Sequence, residues 1–166
     1  MTAEELKSGL RAGREALFAS IRGLSEEQFR FAPADEQWDV AAHLAHLLRI
    51  ERVFGERGAA ALREDEPFCP SAAAVNEDDP ALAQHLAVPQ IIHGLQAARR
   101  DLETLLDAGD TSLTRAIVHE TRGRMTVEEI VKKMADHERE HAESIAALAR
   151  QALNTRPVTI PLTRRS

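Results

Sequence analysis

Tyrosine is absent from this sequence, cysteine and tryptophan occur once each, and aromatic residues make up only 4% of its 166 positions. A single cysteine excludes an intrachain disulfide, and with it the stapled scaffolds of small secreted domains. No stretch alternates apolar and polar residues long enough to predict a sheet. No apolar run approaches the ~20 residues needed to span a bilayer. The opening MTAEELKSGL lacks the basic and apolar regions of a signal peptide. An excess of positive charge is missing too, because 21 Lys and Arg face 27 Asp and Glu for a formal charge of −6. A nucleic-acid partner would need a basic face to neutralise phosphates, and the pair Arg164 and Arg165 reads as a solvated tail. These absences predict a cytoplasmic protein whose partners are neither nucleic acid nor membrane.

What is present is Leu and Ala, which dominate the 43% hydrophobic content and favour helix over strand. The fold class is therefore all-α. A first helix is predicted from Ala3 to Arg22, with Leu6, Leu10, Leu17 and Ile21 on one face and Gly23 closing it. Ser25 and Gln28 have the spacing of a capping box for a short helical turn. Pro33, Asp35 and Gln37 then form a loop. A second helix runs from Asp39 to Glu56, with Gly55 and Gly58 at its fraying end. The weakly patterned residues 58–80 form a long crossover connection, which one type of helical bundle needs. Asp79 and Pro80 look like a cap and first turn, and Pro89 kinks or restarts the third helix, which covers Pro89 to Leu106 and is closed by Gly109. Residues 110–125 make a second connection, briefly extended at Ala116–Val118. Thr126 and Glu129 open a fourth helix that continues to Leu153. One domain, residues 1–154, is followed by a tail at 155–166.

The chemistry lies in the histidines. Ile130, Met134, His137, His141, Ile145 and Leu148 fall within one narrow arc of the fourth helix, so His137 and His141 stand one turn apart on its core-facing stripe. Two imidazoles in that relation can reach one ion at ~2.0–2.1 Å. The alternative is a pair of hydrogen-bonded core histidines, each needing its own buried partner. His137-Glu-Arg-Glu-His141 also matches the H-E-x-x-H pattern of zinc peptidases. No histidine follows it as a distant third ligand, and Glu138 reads as a solvated neighbour. On the second helix, His43 and His46 lean to a similar side, and periodicity does not choose between them.

Trp38-Asp-Val-Ala-Ala-His-Leu-Ala-His46-Leu-Leu-Arg-Ile-Glu51 resembles the second helix of the DinB-like (DinB/YfiT-type) superfamily. The segment Gly123-Arg-Met-Thr126, leading into Ala135-Asp-His137-Glu-Arg-Glu-His141, resembles the start and ligand region of that family's fourth helix. The resemblance runs over the whole chain and implies an up-down-down-up four-helix bundle. It also implies a divalent metal, Zn or Ni foremost, on His46, His137 and His141, since the family's first ligand lies eight residues beyond the tryptophan. Glu51 matches an acidic family position, where helix pairing or support of a ligand is expected. His43 departs from an apolar position and stands as a fourth ligand, a donor to a ligand, or the ligand itself in a shifted register. Characterised relatives include thiol transferases and a thiol-dependent isomerase. The implied function is thus thiol S-transfer in detoxification, with a small-molecule thiol and an electrophile as partners. The alternatives are a metal-binding stress-response protein without catalysis and a metal-activated hydrolase.

Other residues carry weaker readings. His119 lies in the connection before the fourth helix, where an ordinary loop position is weighed against an approach to the mouth of the site. His85 and His93 are solvated or partly buried, Arg99 and Arg100 belong to a solvated helix face, and Cys69 is a buried or incidental thiol. Phe18 and Ile91 lie beyond a single core stripe, which with the family's habit of pairing predicts a homodimer.

Overall fold

The computed structural model describes residues 1–34, 38–71 and 85–154. They are mostly helical: α1 (Ala3–Ser20), α2 (Glu26–Phe29), α3 (Val40–Arg63), α4 (Val88–Thr104) and α5 (Val127–Asn154). α1 packs against α5, and α3 packs against both α4 and α5. None of these helices is long and apolar enough to cross a membrane. The expected cap at Asp79 and Pro80, loop residues Asp35 and Gln37, and the 155–166 tail lie outside the described residues.

Local chemistry sets the helix starts. Thr2 and Glu5 form a capping box on α1, and Ser25 and Gln28 form one on α2. Asp39 accepts from the Ala42 N–H at 2.7 Å, and Thr126 accepts from the Glu129 N–H at the head of α5. Such caps satisfy amide groups that have no partner within the helix, at about 1 kcal/mol each. Pro89 sits in the first turn of α4, where its missing N–H costs nothing. Leu17, Leu44, Leu47, Ile91, Leu95, Leu102, Ile130, Met134 and Ile145 are fully buried between the long helices.

Three expectations need correction. α3 does not fray near Gly55 and Gly58 but continues to Arg63. A Cβ at Gly58 would collide with Leu105 Cδ1, so the bare position admits that side chain. The helix end is then held by Arg115, which donates from Nε to the Ala61 carbonyl at 3.0 Å and from Nη2 to the Glu64 carbonyl. Second, a small sheet exists. β1 (Phe68–Cys69) pairs parallel with β2 (Ala116–His119), which pairs antiparallel with β3 (Gly123–Thr126). Gly123, at φ 70°, supplies the left-handed residue that lets the chain reverse. Third, Phe18 and Ile91 are used within the chain. Ile91 is fully buried, and Phe18 packs against the core with the Arg14 guanidinium 5.6 Å from its ring centre.

The core is not wholly apolar. Each of the four long helices places one charged residue on its buried side: Arg14, Glu51, Arg99 and Glu138 are at most 6% exposed. Arg14 donates to Glu138 (2.9 Å from Nε), to Glu51, and to the Leu95 carbonyl at 2.7 Å. Arg99 donates to Glu51, to Glu138 at 2.8 Å and to the Leu10 carbonyl. Burial works against the charge of Arg14, but Glu51 and Glu138 outweigh it and raise its pKa. Arg99 and Glu138 are thus core residues and not members of solvated faces, because each finds opposite charges inside. Glu51 pairs helices.

Candidate metal centre

α3 and α5 bring their histidines face to face. His46 is buried and His137 and His141 are half-buried; one ligand-capable atom from each lies within 4.8 Å of the others. His46 Nε2 and His137 Nε2 are 2.9 Å apart. Ring centres are separated by 5.1 Å for His46–His137, 4.8 Å for His46–His141 and 4.5 Å for His137–His141. Ligand nitrogens bound at 2.0–2.1 Å around a tetrahedral ion would stand about 3.3 Å from one another. The observed spacings bracket that value, so the donor set fits a divalent ion with an open coordination position.

Electrostatics agree with the geometry. Burial is the largest influence on His43, His137 and His141 and lowers all three pKa values. His46 adds to the lowering at His43 and His137, while His137, His46 and His43 together bring His141 down to about 3. His43, His137 and His141 are therefore neutral at neutral pH, the state in which an imidazole can ligate a metal.

His43 stands outside the group of three. Its Nδ1 is 2.8 Å from His141 Nδ1, a contact that occupies one nitrogen of His141 and leaves Nε2 for other work. Trp38 covers the cluster, with its ring centre 5.3 Å from that of His43, 5.1 Å from His46 and 6.2 Å from His141. His85 and His93 are exposed and far in role from this cluster.

A cavity of about 590 Å³ opens beside the imidazoles. His46, Ile50, Phe54 and Arg57 line it from α3, Lys133 and His137 from α5, and His119, Thr121 and Arg122 from the β2–β3 hairpin. His119 is buried, and its Nδ1 accepts from the Thr121 N–H at 3.2 Å. Burial and then the charges of Arg57 and Arg122 push its pKa down, against Glu120. Cys69 faces His119 in the parallel ladder, a proximity invisible in sequence. Burial pushes its thiol pKa up, against the nearby Arg57, so a protonated, inert thiol stands there.

Helices that converge three imidazoles beside an open cavity define a class: a helical protein whose core can hold a metal ion at the edge of a ligand site. Within that class, the chain belongs to the DinB superfamily, whose family model matches residues 10–145. Comparison with curated proteins finds no match.

Proposed function

We propose that the protein holds one divalent metal ion, Zn or Ni, on His46, His137 and His141 and acts as a thiol S-transferase of the detoxifying kind. The observation that carries this reading is the convergence of three imidazoles at the edge of a 590 Å³ cavity, a volume suited to a small molecule. A metal ion so placed would supply Lewis acidity that lowers the pKa of a thiol beside it. The chain's own residues do the rest. His43 orients His141 through their shared hydrogen bond, Trp38 shields the rings from water, and the cavity receives the electrophile. The thiol gives up its proton, its sulfur bonds to the electrophilic carbon, and that carbon's bond to its leaving group breaks, the released group taking up the proton. The same reading takes residues 1–154 as one domain in the up-down-down-up order and the chain as a cytoplasmic homodimer. With Phe18 and Ile91 used internally, pairing rests on the family resemblance alone.

A second reading, a metal-binding stress-response protein without catalysis, draws support from the elements involved. An ion on these residues joins α3 to α5, and such a clamp is useful without turnover. Elemental analysis of protein purified without a metal-affinity tag should find about one ion per chain, the stoichiometry a single three-ligand site allows. Panels of low-molecular-weight thiols with electrophiles, and of esters, then separate the readings. Thiol conjugation that vanishes with the metal supports the transferase, and ester cleavage alone points to a hydrolase. Full metal with neither activity favours the non-catalytic protein, and absence of metal sinks every version.

A further inference from the structure

The cavity has a charge pattern that the metal cluster does not explain. Arg57, Arg122 and Lys133 line it, and none of them has a carboxylate partner among the described residues. Arg57 donates instead to the Pro70 carbonyl. Of the acids on the same walls, Asp136 is paired with Arg139, whereas Glu129 accepts from the Thr126 N–H, which lowers its pKa and keeps it ionised. Among the described lining residues, Lys132 is paired with Glu128, and Glu129 and Glu140 face the three remaining cations, which leaves an excess of positive charge. Unpaired cations beside one cavity repel each other, and a bound anion relieves that repulsion.

His119 adds a directed donor. Because a backbone N–H can only donate, the bond from Thr121 makes His119 Nδ1 an acceptor, and the proton of the neutral ring is on Nε2. The hairpin therefore carries a neutral N–H donor on a wall of the cavity that Arg57 and Arg122 also line.

α3 acts as a ruler for the ligand. His46, Ile50, Phe54 and Arg57 recur along one face of that helix, and all four line the cavity. At 1.5 Å per residue, Arg57 lies about 16 Å along the axis from His46. Ile50 and Phe54, both buried on the remainder of their surface, make the intervening wall apolar.

We infer that Arg57, His119, Arg122 and Lys133 form an anion subsite, and that the cavity takes an elongated small molecule with a carboxylate or phosphate at that end and an apolar middle over Ile50 and Phe54. The orientation of its other end toward His46 and His137 rests on the metal-site reading proposed above; anion binding does not.

The test uses metal-free full-length protein with hexanoate, hexyl phosphate and hexanol as probes, titrated by calorimetry and by NMR of the arginine Nε and His119 ring signals. One or both anions should bind, move the signals of Arg57, Arg122 and His119, and bind more tightly than hexanol. The double variant R57Q/R122Q should weaken anion binding on the order of tenfold, the loss expected for one or two charge-assisted hydrogen bonds, and leave hexanol binding unchanged. Both side chains have solvent contact, and K133Q gives a second variant should the double one fold poorly. Equal affinity for hexanol and the anions, undiminished anion binding in the folded variants, or no anion binding at all would overturn the inference. Because no metal or thiol enters the measurement, the subsite and the transferase reading stand or fall separately.

Discussion

His43 and His46 are three residues apart on α3 yet meet different rings, His141 for one and His137 for the other. The consequence is measurable as bound metal per chain. His46→Ala removes a proposed ligand and should abolish stoichiometric binding. His43→Ala removes only the partner that orients His141, and a loss on the order of 10–100-fold in affinity is the usual effect of such a change. A larger loss from His43→Ala would transfer the ligand role. Periodicity alone left this choice open, since both residues lean to one side of the helix; the offset from Trp38 selects His46, the one whose ring meets His137. The pH behaviour belongs to the same residues. His43, His137 and His141 have folded pKa values depressed below the unfolded 6.5, so their neutral burial contributes nothing adverse above that value. Below it the unfolded chain takes up protons that the folded one resists, and stability is lost as pH falls from about 6.5 toward the value near 3 at His141. Urea denaturation of metal-free protein across this window should show that decline, and His141→Asn should flatten it. Identical slopes in the two proteins would contradict the assignment.

At the scale of the elements, glycines separate what the sequence reveals from what it hides. Gly55 and Gly58 read alike in sequence, as helix breakers, yet both lie inside α3. A Cβ on Gly55 meets nothing within 4 Å, whereas one on Gly94 of α4 would sit 2.8 Å from Leu48 Cδ2. Gly55→Ala should therefore stabilise the protein by about 0.5–1 kcal/mol through helix propensity. Gly94→Ala should destabilise it by about 1–3 kcal/mol, because α3 and α4 must separate or Leu48 must leave its rotamer. Thermal unfolding of the two variants beside the parent decides the matter, and a shared sign would show the helix contact to be looser than described. The four long helices and the caps at Ser25, Asp39 and Thr126 were legible because leucine spacing and capping side chains act locally. The sheet was not. Its strands have two or four residues, too short for alternation to show, and Arg115's grip on the end of α3 joins residues far apart in sequence.

Across the whole molecule, the proposed ion and the ionic core both tie α3 to α5. His46 and Glu51 come from one helix, His137 and Glu138 from the other. A bound ion stabilises the folded state by mass action, so metal-loaded protein should melt at a higher temperature than chelator-treated protein. Equal midpoints by scanning calorimetry would show that the ion binds the unfolded chain as tightly as the folded one and so does not clamp the helices. The ionic core was hidden for a different reason. Arg14 continues the spacing of Leu6, Leu10 and Leu17, and a charge in register with an apolar stripe is ordinarily taken as an interruption of it. Its meaning emerges only when all four helices are together. Arg99→Met should cost about 3–5 kcal/mol by urea denaturation, since it strands the charges of Glu51 and Glu138 without their second partner. A cost below ~1 kcal/mol, the range of an exposed pair, would show that water reaches the site.

That set of four charges also has an arithmetic. Two arginines and two glutamates sum to zero, but any three of them leave one unit of charge over, and each comes from a different long helix. A partly assembled chain with one helix undocked would enclose an odd charge in an apolar interior, where isolated charge is heavily penalised. Half-built forms are thereby taxed out of the population, and assembly becomes a vote that must be unanimous. Far-UV circular dichroism, which reads helix, and Trp38 fluorescence, which reads the closed end of the histidine cluster, should then trace a single coincident transition in denaturant.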